Sequence, residues 1–443
     1  MLIFPSANDS VEVTINGTLL PAQTVQIPPD ESYTVILDNG ISVTHHSQRH
    51  KGLFVHAAGG KRVKVVAVNE ESGSIGVVSS IPTAFPRDAT YQFYALGVDS
   101  TLIAGVHSAV LLVGAYDNTT VNITTPYTLI HDRLLPAGQP FSITLHQGET
   151  YLIQHSQDLT GTYIESDKWL TVYSGHECGE VPKGRVKCDH LVDQVPPLSV
   201  WGRMYVVGAL ETQALGHQLK VLAGVGPTEV WIRCFNVTSG ALVKDSTYNI
   251  SSAGESVVIH VPEKQDCTIA ANDKVLVAQL AQGQGTSSSF LGDPFLAFVP
   301  NTNMYVYRTR FTTIPTLNRI RANEMKNYIN LIVQQKWFNV EDITLDGEKL
   351  SELMAGNTTL RLVNFASGES YAVITLEVTP GLHLVEHFSP NALMAVLSYG
   401  FAGHWSYGYW TNTEEGKQKR FYWNKMCYCA NVLYNNVCLC MVD

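Results

Sequence analysis

One local arrangement recurs along the 443 residues and limits what they can form: a short polar turn ending in Lys, followed at once by a strand-like apolar run. The fullest copy is the stretch from Tyr163 to Cys178, Y-I-E-S-D-K-W-L-T-V-Y-S-G-H-E-C. The others are Gly60-Lys61-Arg62-Val63-Lys64-Val65, Asp273-Lys274-Val275-Leu276-Val277-Ala278 and, more loosely, Asn391-Ala392-Leu393-Met394-Ala395-Val396. Aligned on the Lys column, the second following position holds Val63, Leu170, Leu276 and Met394, and the fourth holds Val65, Val172, Ala278 and Val396. Between them stand Lys64, Thr171, Val277 and Ala395, a mixed column. Two apolar columns around a mixed one describe a strand with one face on a core and the other partly solvated. The chain reads as one module used four times.

Spacing supports the repeat. A Gly-Glu turn precedes the Lys turn by 19 residues in two copies, Glu149 to Lys168 and Glu255 to Lys274, against 30 from Glu31 to Lys61 and 23 from Glu369 to Ala392. Surface connections vary while strands recur. The length also exceeds one core and suits several domains of about 100 to 150 residues. Pro-containing connectors break the chain at Ile81 to Pro86, Val195-Pro196-Pro197 and Val299-Pro300, since proline gives no amide to a ladder.

The expected fold is all-β: four tandem β-sandwich-like repeats of about 100 residues with a small Cys-rich C-terminal tail. The boundaries fall at residues 1–90, where a front strand looks to be missing, then 91–196, 197–300, 301–412 and a tail at 413–443. Strands are expected at Ala109 to Val113, Thr120 to Thr124, Phe141 to Leu145 and Thr150 to Gln154, and again at Gln218 to Leu222, Glu229 to Cys234 and Ser256 to His260. Weak 3.6-residue rhythm allows one short helix in Arg319 to Gln335 and one in Gly347 to Ala355.

Composition narrows the class. Charged residues are 15% of the chain, below the usual share of about 25%, and the net charge of −10 with no large basic cluster argues against a nucleic-acid partner. The N-terminus, M-L-I-F-P-S-A-N-D-S, lacks the basic region of a signal peptide and reads as a processed, trimmed or incomplete start. The most membrane-like segment, Asp99 to Asp117, is too short to span a bilayer and reads as two adjacent buried strands. Eight cysteines occur in local groups, and seven N-x-S/T sequons stand at Asn8, Asn16, Asn118, Asn122, Asn236, Asn249 and Asn357. Paired cysteines with glycosylation signals indicate a secreted, extracellular glycoprotein.

The densest cluster of reactive residue types is His176-Glu177-Cys178 with Cys188-Asp189-His190. Thiolates and imidazoles could hold zinc, and Cys beside His could be a nucleophile. Neither H-E-x-x-H nor C-x-x-C is present, so the favoured reading is a Cys178–Cys188 disulfide closing a short loop. Cys234 and Cys267 form the second expected bridge, pinning two strands of one sandwich. Cys427, Cys429, Cys438 and Cys440 form a knot whose connectivity sequence leaves open. Near the end of the fourth copy, alternation puts Trp405, Tyr407 and Tyr409 on one strand face, where they could stack on sugars or anchor a partner; the favoured reading makes them the core and closing edge of the last sandwich.

Long strings in this region resemble a known family. Tyr173-Ser174-Gly175-His176-Glu177-Cys178, Cys188-Asp189-His190-Leu191-Val192-Asp193-Gln194-Val195-Pro196-Pro197, Trp201-Gly202 and Ser406-Tyr407-Gly408-Tyr409 are similar to the N-terminal region of the IgG Fc-binding protein family, over about Val63 to Trp410. The resemblance implies a secreted or cell-surface β-rich region of mucus, adhesive or matrix glycoproteins, without catalytic residues or cofactors. The expected function is therefore non-enzymatic: adhesion, mucus or matrix assembly through contacts with extracellular proteins or glycans and through self-association, with no membrane span. The alternative is a lectin-like module using Trp405, Tyr407 and Tyr409.

Overall fold

The computed structural model describes residues 1–17, 20–37, 48–71, 74–79, 90–100, 105–130, 134–185, 187–211, 216–283, 292–314, 325–354, 360–403, 405–411, 425–430 and 437–442. The chain is all-β, with helix reduced to single turns such as Leu350–Leu353. Among the described residues no helix is long and apolar enough to cross a membrane. Two compact units form: residues 1–200 together with 419–443, and residues 201–418.

In the first unit, one sheet has the order Tyr33–Thr34, Leu2–Pro5, Val63–Glu71, Ser74–Ser79, and a second begins Leu20–Ile27, Val11–Gly17, Gly52–Ala57 and continues into the tail strands Lys425–Ala430 and Val437–Val442. A third sheet runs Asp189–Gln194, Leu170–Gly179, Ser108–Gly114, Glu149–His155, Gln48–His50, and a fourth Phe141–Leu145, Thr119–Thr124, Tyr163–Ser166, Tyr91–Tyr94. The second unit is built the same way. Leu242–Ile250, Thr228–Asn236, Gln265–Ala281, His217–Ala223 and Ser256–Val261 make one sheet, with Gly202–Val207 and Leu296–Phe298 also on the long strand. Leu360–Asn364, Ser370–Val378, Lys326–Gln334, Met394–Ala402 and Trp405–Trp410 make another, and Arg308–Thr312, Leu382–His387, Ile343–Leu345 and Glu348–Lys349 the last.

The recurring Lys turn has a structural meaning. Each copy lies where the chain passes from one sheet to another: Gly52–Ala57 to Val63–Glu71, Tyr163–Ser166 to Leu170–Gly179, and Leu382–His387 to Met394–Ala402. In the remaining copy the turn is a bend within Gln265–Ala281, whose first half pairs with Thr228–Asn236 and whose second half pairs with His217–Ala223. Lys61 Nζ donates to Ser10 O at 2.7 Å, and Lys168 Nζ to Asp117 O at 2.7 Å and Asn118 O at 2.9 Å. Both lysines thus tie the crossover to carbonyls of the connection that leaves the neighbouring central strand.

Three sequence expectations need correction. The strands after the turn are buried on both faces: Val172, Val396 and Ala278 are fully enclosed, and so are Thr171, Val277 and Ala395 in the supposedly half-solvated column. The reason is visible at Ala395, which joins Leu397 and Tyr399 in an apolar cluster continuous with Val277, Leu219 and Ile232, so that a neighbouring sheet covers the second face. Of the span Arg319 to Gln335, where a short helix was expected, residues 319–324 lie outside the described residues and Lys326–Gln334 is a central strand, where burial on both faces erases the alternation that marks a strand. Among the described residues the segment Asp99 to Asp117, read as two strands, contains one, Ser108–Gly114, and residues 101–104 lie outside them. Sequence reading also missed the long edge strand Leu242–Ile250, whose polar residues carry an exposed face.

A buried polar contact joins the two halves of the second unit. Arg361 Nε donates to Asp266 Oδ2 at 2.6 Å and its Nη2 to Oδ1 at 3.1 Å, a bidentate pair nearly sealed from water, while Ala209 N also donates to Asp266 Oδ1. Beside it Asn330 Nδ2 donates to Ala209 O at 2.8 Å and its Oδ1 accepts from Thr375 Oγ1 at 2.7 Å. Gly208 admits this approach, because a Cβ there would stand 2.7 Å from Asn330 Nδ2. Removing one member strands a buried charge, so Arg361→Met is expected to lower stability by about 3–5 kcal/mol in denaturant unfolding. A change under 1 kcal/mol would show that the pair is not a structural tie.

Candidate functional site

The reactive cluster forms around the strand Leu170–Gly179, which lies between Asp189–Gln194 and Ser108–Gly114. Pairing with Asp189–Gln194 is regular from Tyr173↔Gln194 to His176↔Leu191 and then slips before Gly179↔Asp189, an irregularity that opens the strand end into a loop. Cys178 and Cys188 close that loop by a disulfide with Cα atoms 5.0 Å apart. Gly175 is required here: a Cβ would lie 1.7 Å from Leu191 O.

Each reactive side chain is engaged internally. Glu177 is buried, its Oε2 accepts from His107 N at 2.6 Å and lies 3.0 Å from His107 Nδ1, and its Oε1 accepts from Gln154 Nε2. His176 turns its Nδ1 to accept from Cys178 N at 2.9 Å. Glu180 accepts from Ser100 Oγ at 2.8 Å and from Gly184 N, and Lys183 pairs with Asp99 at 2.6 Å, so the disulfide loop is fastened at both sides. His107 and Gln154 carry no sequence signal; the register Ser108↔His176 and Ser108↔His155 brings them beside Glu177.

Burial sets the charge states. Desolvation pushes the Glu177 carboxyl up to about 8, against the opposing hydrogen bonds from His107 and Gln154, and lowers His176 to about 4 and His190 to about 3. At neutral pH the group holds a protonated acid beside neutral imidazoles. No thiolate is available because Cys178 is bridged, and among the described residues no three His, Cys, Asp or Glu side chains are arranged to hold a metal ion.

The second expected bridge is also formed. Cys234 and Cys267 face each other across adjacent antiparallel strands, fully buried, with Cα atoms 4.1 Å apart. For the tail, the backbone sets Cys427 opposite Cys440 and Cys429 opposite Cys438, and the four side chains lie outside the described residues. Asn8, Asn16, Asn118, Asn122 and Asn249 are exposed, Asn236 is half-buried with its Oδ1 accepting from Thr238 N and Ser239 N, and Asn357 lies outside the described residues.

Burial places two of the three aromatics in the core. Tyr407 and Tyr409 are 0% and 2% exposed, Tyr407 donating its hydroxyl to Asn327 Oδ1 and Tyr409 to Thr312 O, while Trp405 alone is partly open. Alternation was read correctly, but the shared face is turned inward, because Trp405–Trp410 is covered by packing as well as paired with Met394–Ala402.

Two outcomes are expected from this geometry. Glu177, with its folded-state proton affinity raised, stabilises the fold below about pH 4.5 and loses that contribution as pH rises through about 8; His176 and His190, with theirs lowered, stabilise above about pH 6.5 and lose it as pH falls towards 4. Within this cluster the two histidines outweigh the carboxyl below about pH 6.5 and the carboxyl prevails above it, so the stability of the parent relative to Glu177→Gln should fall as pH rises towards 8. A difference that holds steady over that range would show that Glu177 does not contribute in this way. Separately, Cys178→Ser with Cys188→Ser should cost about 3 kcal/mol and Cys234→Ser with Cys267→Ser about 4 kcal/mol, from closed loops of 10 and 33 residues. Denaturant midpoints that leave both double variants at the parent value would contradict this.

Comparison with known proteins follows the same ground. The profile of the family described as IgGFc binding protein matches residues 84–400. The human IgGFc-binding protein is 22% identical over 327 residues, spanning 74% of this chain and 5% of the human protein. A glycine–tRNA ligase beta subunit from Acaryochloris marina is 22% identical over 284 residues, 62% of this chain and 38% of that protein. Among solved structures, the viral chemokine binding protein R17 encoded by rodent gammaherpesvirus Peru aligns over 76% of this chain and 88% of its own at 10% identity, with a TM-score of 0.17, too low to bear on the fold. The chain thus spans about a twentieth of the first relative's length.

Proposed function

Because the chain belongs to the IgGFc-binding protein family, we propose that it is a secreted, non-enzymatic protein-binding region, one that serves adhesion, mucus or matrix assembly and associates with its own copies. The observation that carries this reading is the fate of its most reactive residues. Cys178, His176 and Glu177 are all committed to a bridged, hydrogen-bonded strand end, which leaves surfaces and sheet edges as the means of action.

Secretion is supported by two formed disulfides, one of them wholly buried, because such bridges persist where the environment is oxidising. Exposed sequon asparagines agree with a glycoprotein. A division into four tandem sandwich modules, at 1–90, 91–196, 197–300 and 301–412 with a tail at 413–443, is supported by the strand order: a central strand, a crossover strand and the strand after it recur in three pairs of sheets and in the two halves of the seven-stranded sheet. Modules in series present long faces and edges to partners rather than a pocket.

Light scattering on the glycosylated full chain across a concentration series tests the reading. The expected result is a mass rising above 48.7 kDa plus glycan into discrete or growing assemblies. A monomer at every concentration would remove self-association and leave an outside protein as the partner.

A further inference from the structure

Three of the four-stranded arrangements end in an edge strand that comes just ahead of the central strand of the companion sheet. Tyr91–Tyr94 lies beside Tyr163–Ser166, Gly202–Val207 beside the first half of Gln265–Ala281, and Arg308–Thr312 beside Leu382–His387. In the remaining sheet Gly52–Ala57 holds the place of Tyr163–Ser166, pairing with Val11–Gly17 and leading over its crossover into Val63–Glu71, so the edge position is the one on its other side. Its other side is occupied from the far end of the chain. Val437–Val442 runs parallel to it, with Cys438 opposite Gly52, Leu439 opposite Leu53, Cys440 opposite Phe54 and Met441 opposite Val55, and Lys425–Ala430 folds back antiparallel on Val437–Val442 while also meeting the edge at Tyr428↔Leu53.

We propose that Gly52–Ala57 is an acceptor edge for an added strand, and that in assemblies its occupant is the Val437–Val442 strand of a second copy of this chain, exchanged for the chain's own. The inference rests on the self-association reading above and names the surface that would carry it. With a strand added, Leu53 and Val55 are fully buried, and Gly52 N is held from outside that pairing by Gly148 O at 2.8 Å. An unfilled edge exposes a row of backbone donors and acceptors, which is what strand addition satisfies. The present occupant is the exchangeable kind. It pairs in parallel, the slightly weaker arrangement, within sheets that are otherwise antiparallel. It also belongs to a stretch of sequence far from the edge it covers, more than 350 residues downstream of Gly52–Ala57. Effective concentration at the chain's own edge is of millimolar order, so exchange grows where copies are crowded.

The test uses the full glycosylated chain, its Leu439→Pro variant and a synthetic peptide of residues 436–443. Proline at 439 removes an amide from the added strand, the last in its sheet, and an unchanged thermal midpoint verifies the fold. Wild type should assemble with rising concentration, and Leu439→Pro should remain at monomer mass under the same conditions. Excess peptide, added to the unaltered chain, should lower the assembled fraction at least several-fold. Amide exchange at Leu53 and Val55 should accelerate at least tenfold in the variant. Assembly that is indifferent to Leu439→Pro and to the peptide would overturn the edge while leaving self-association standing; a wild-type monomer throughout would overturn both.

Discussion

The structure depends on the passage from sheet to sheet. A strand buried on both faces has to leave one layer, turn through solvent and enter the next without leaving backbone groups unpaired. The lysines at 61 and 168 meet that requirement by donating to carbonyls of the neighbouring connection, at Ser10 and at Asp117 and Asn118, which are themselves the exits of the central strands Leu2–Pro5 and Ser108–Gly114. A long flexible side chain suits this corner, since its stem spans the gap while its ammonium stays near water. The same corner in the second unit is made by bending one strand, Gln265–Ala281, and there the Cys234–Cys267 bridge clamps the half that remains in the first layer. A recurring sequence signature and a recurring change of layer are therefore one fact seen at two levels.

Buried polar groups then fix how layers meet. Arg361 and Asp266 hold their partners bidentately, with Asn330 and Gly208 completing the contact, whereas the surrounding apolar cluster from Leu219 to Trp410 supplies the larger burial without direction. The Glu177 group works differently. It has no full charge to neutralise at neutral pH, since burial keeps the carboxyl protonated and both histidines neutral, so it anchors the disulfide loop by hydrogen bonds alone. One tie is ionic and the other is neutral, and the difference follows from whether an arginine is present to meet the carboxylate.

Much of the β framework was legible because turns and strand starts are local. Phe141–Leu145 matches its expectation residue for residue, and Ser108–Gly114, Thr119–Thr124 and Ser256–Val261 differ only at their ends. What sequence does not carry is which face is covered. Lys326–Gln334 looked helical, and Ala395 looked half-solvated, because central strands enclosed on both sides lose the period of two. The same limit explains the site. Cys178 and Cys188 announced their bridge by proximity in sequence, but His107 and Gln154 reach Glu177 through strand register across dozens of residues. Tyr407 and Tyr409 obey the alternation read from sequence, and only tertiary packing decided that their shared face points inward.

Sheet edges bring these constraints to bear on function. Leu242–Ile250 is an edge strand, long and exposed on its outer face, the kind that recruits other chains unless something stops it. Its outward positions are polar from Asp245 through Thr247 to Asn249, and Trp231 stands opposite Thr247 and diagonal to Asn249 on the adjoining strand. A glycan on that sequon would project from the edge beside the exposed indole and block approach to both. The edge at Gly52–Ala57 carries no sequon and is already covered by added strands. Two edges of one chain thus differ in the chemistry placed along them, one suited to refusing a strand and the other to receiving it.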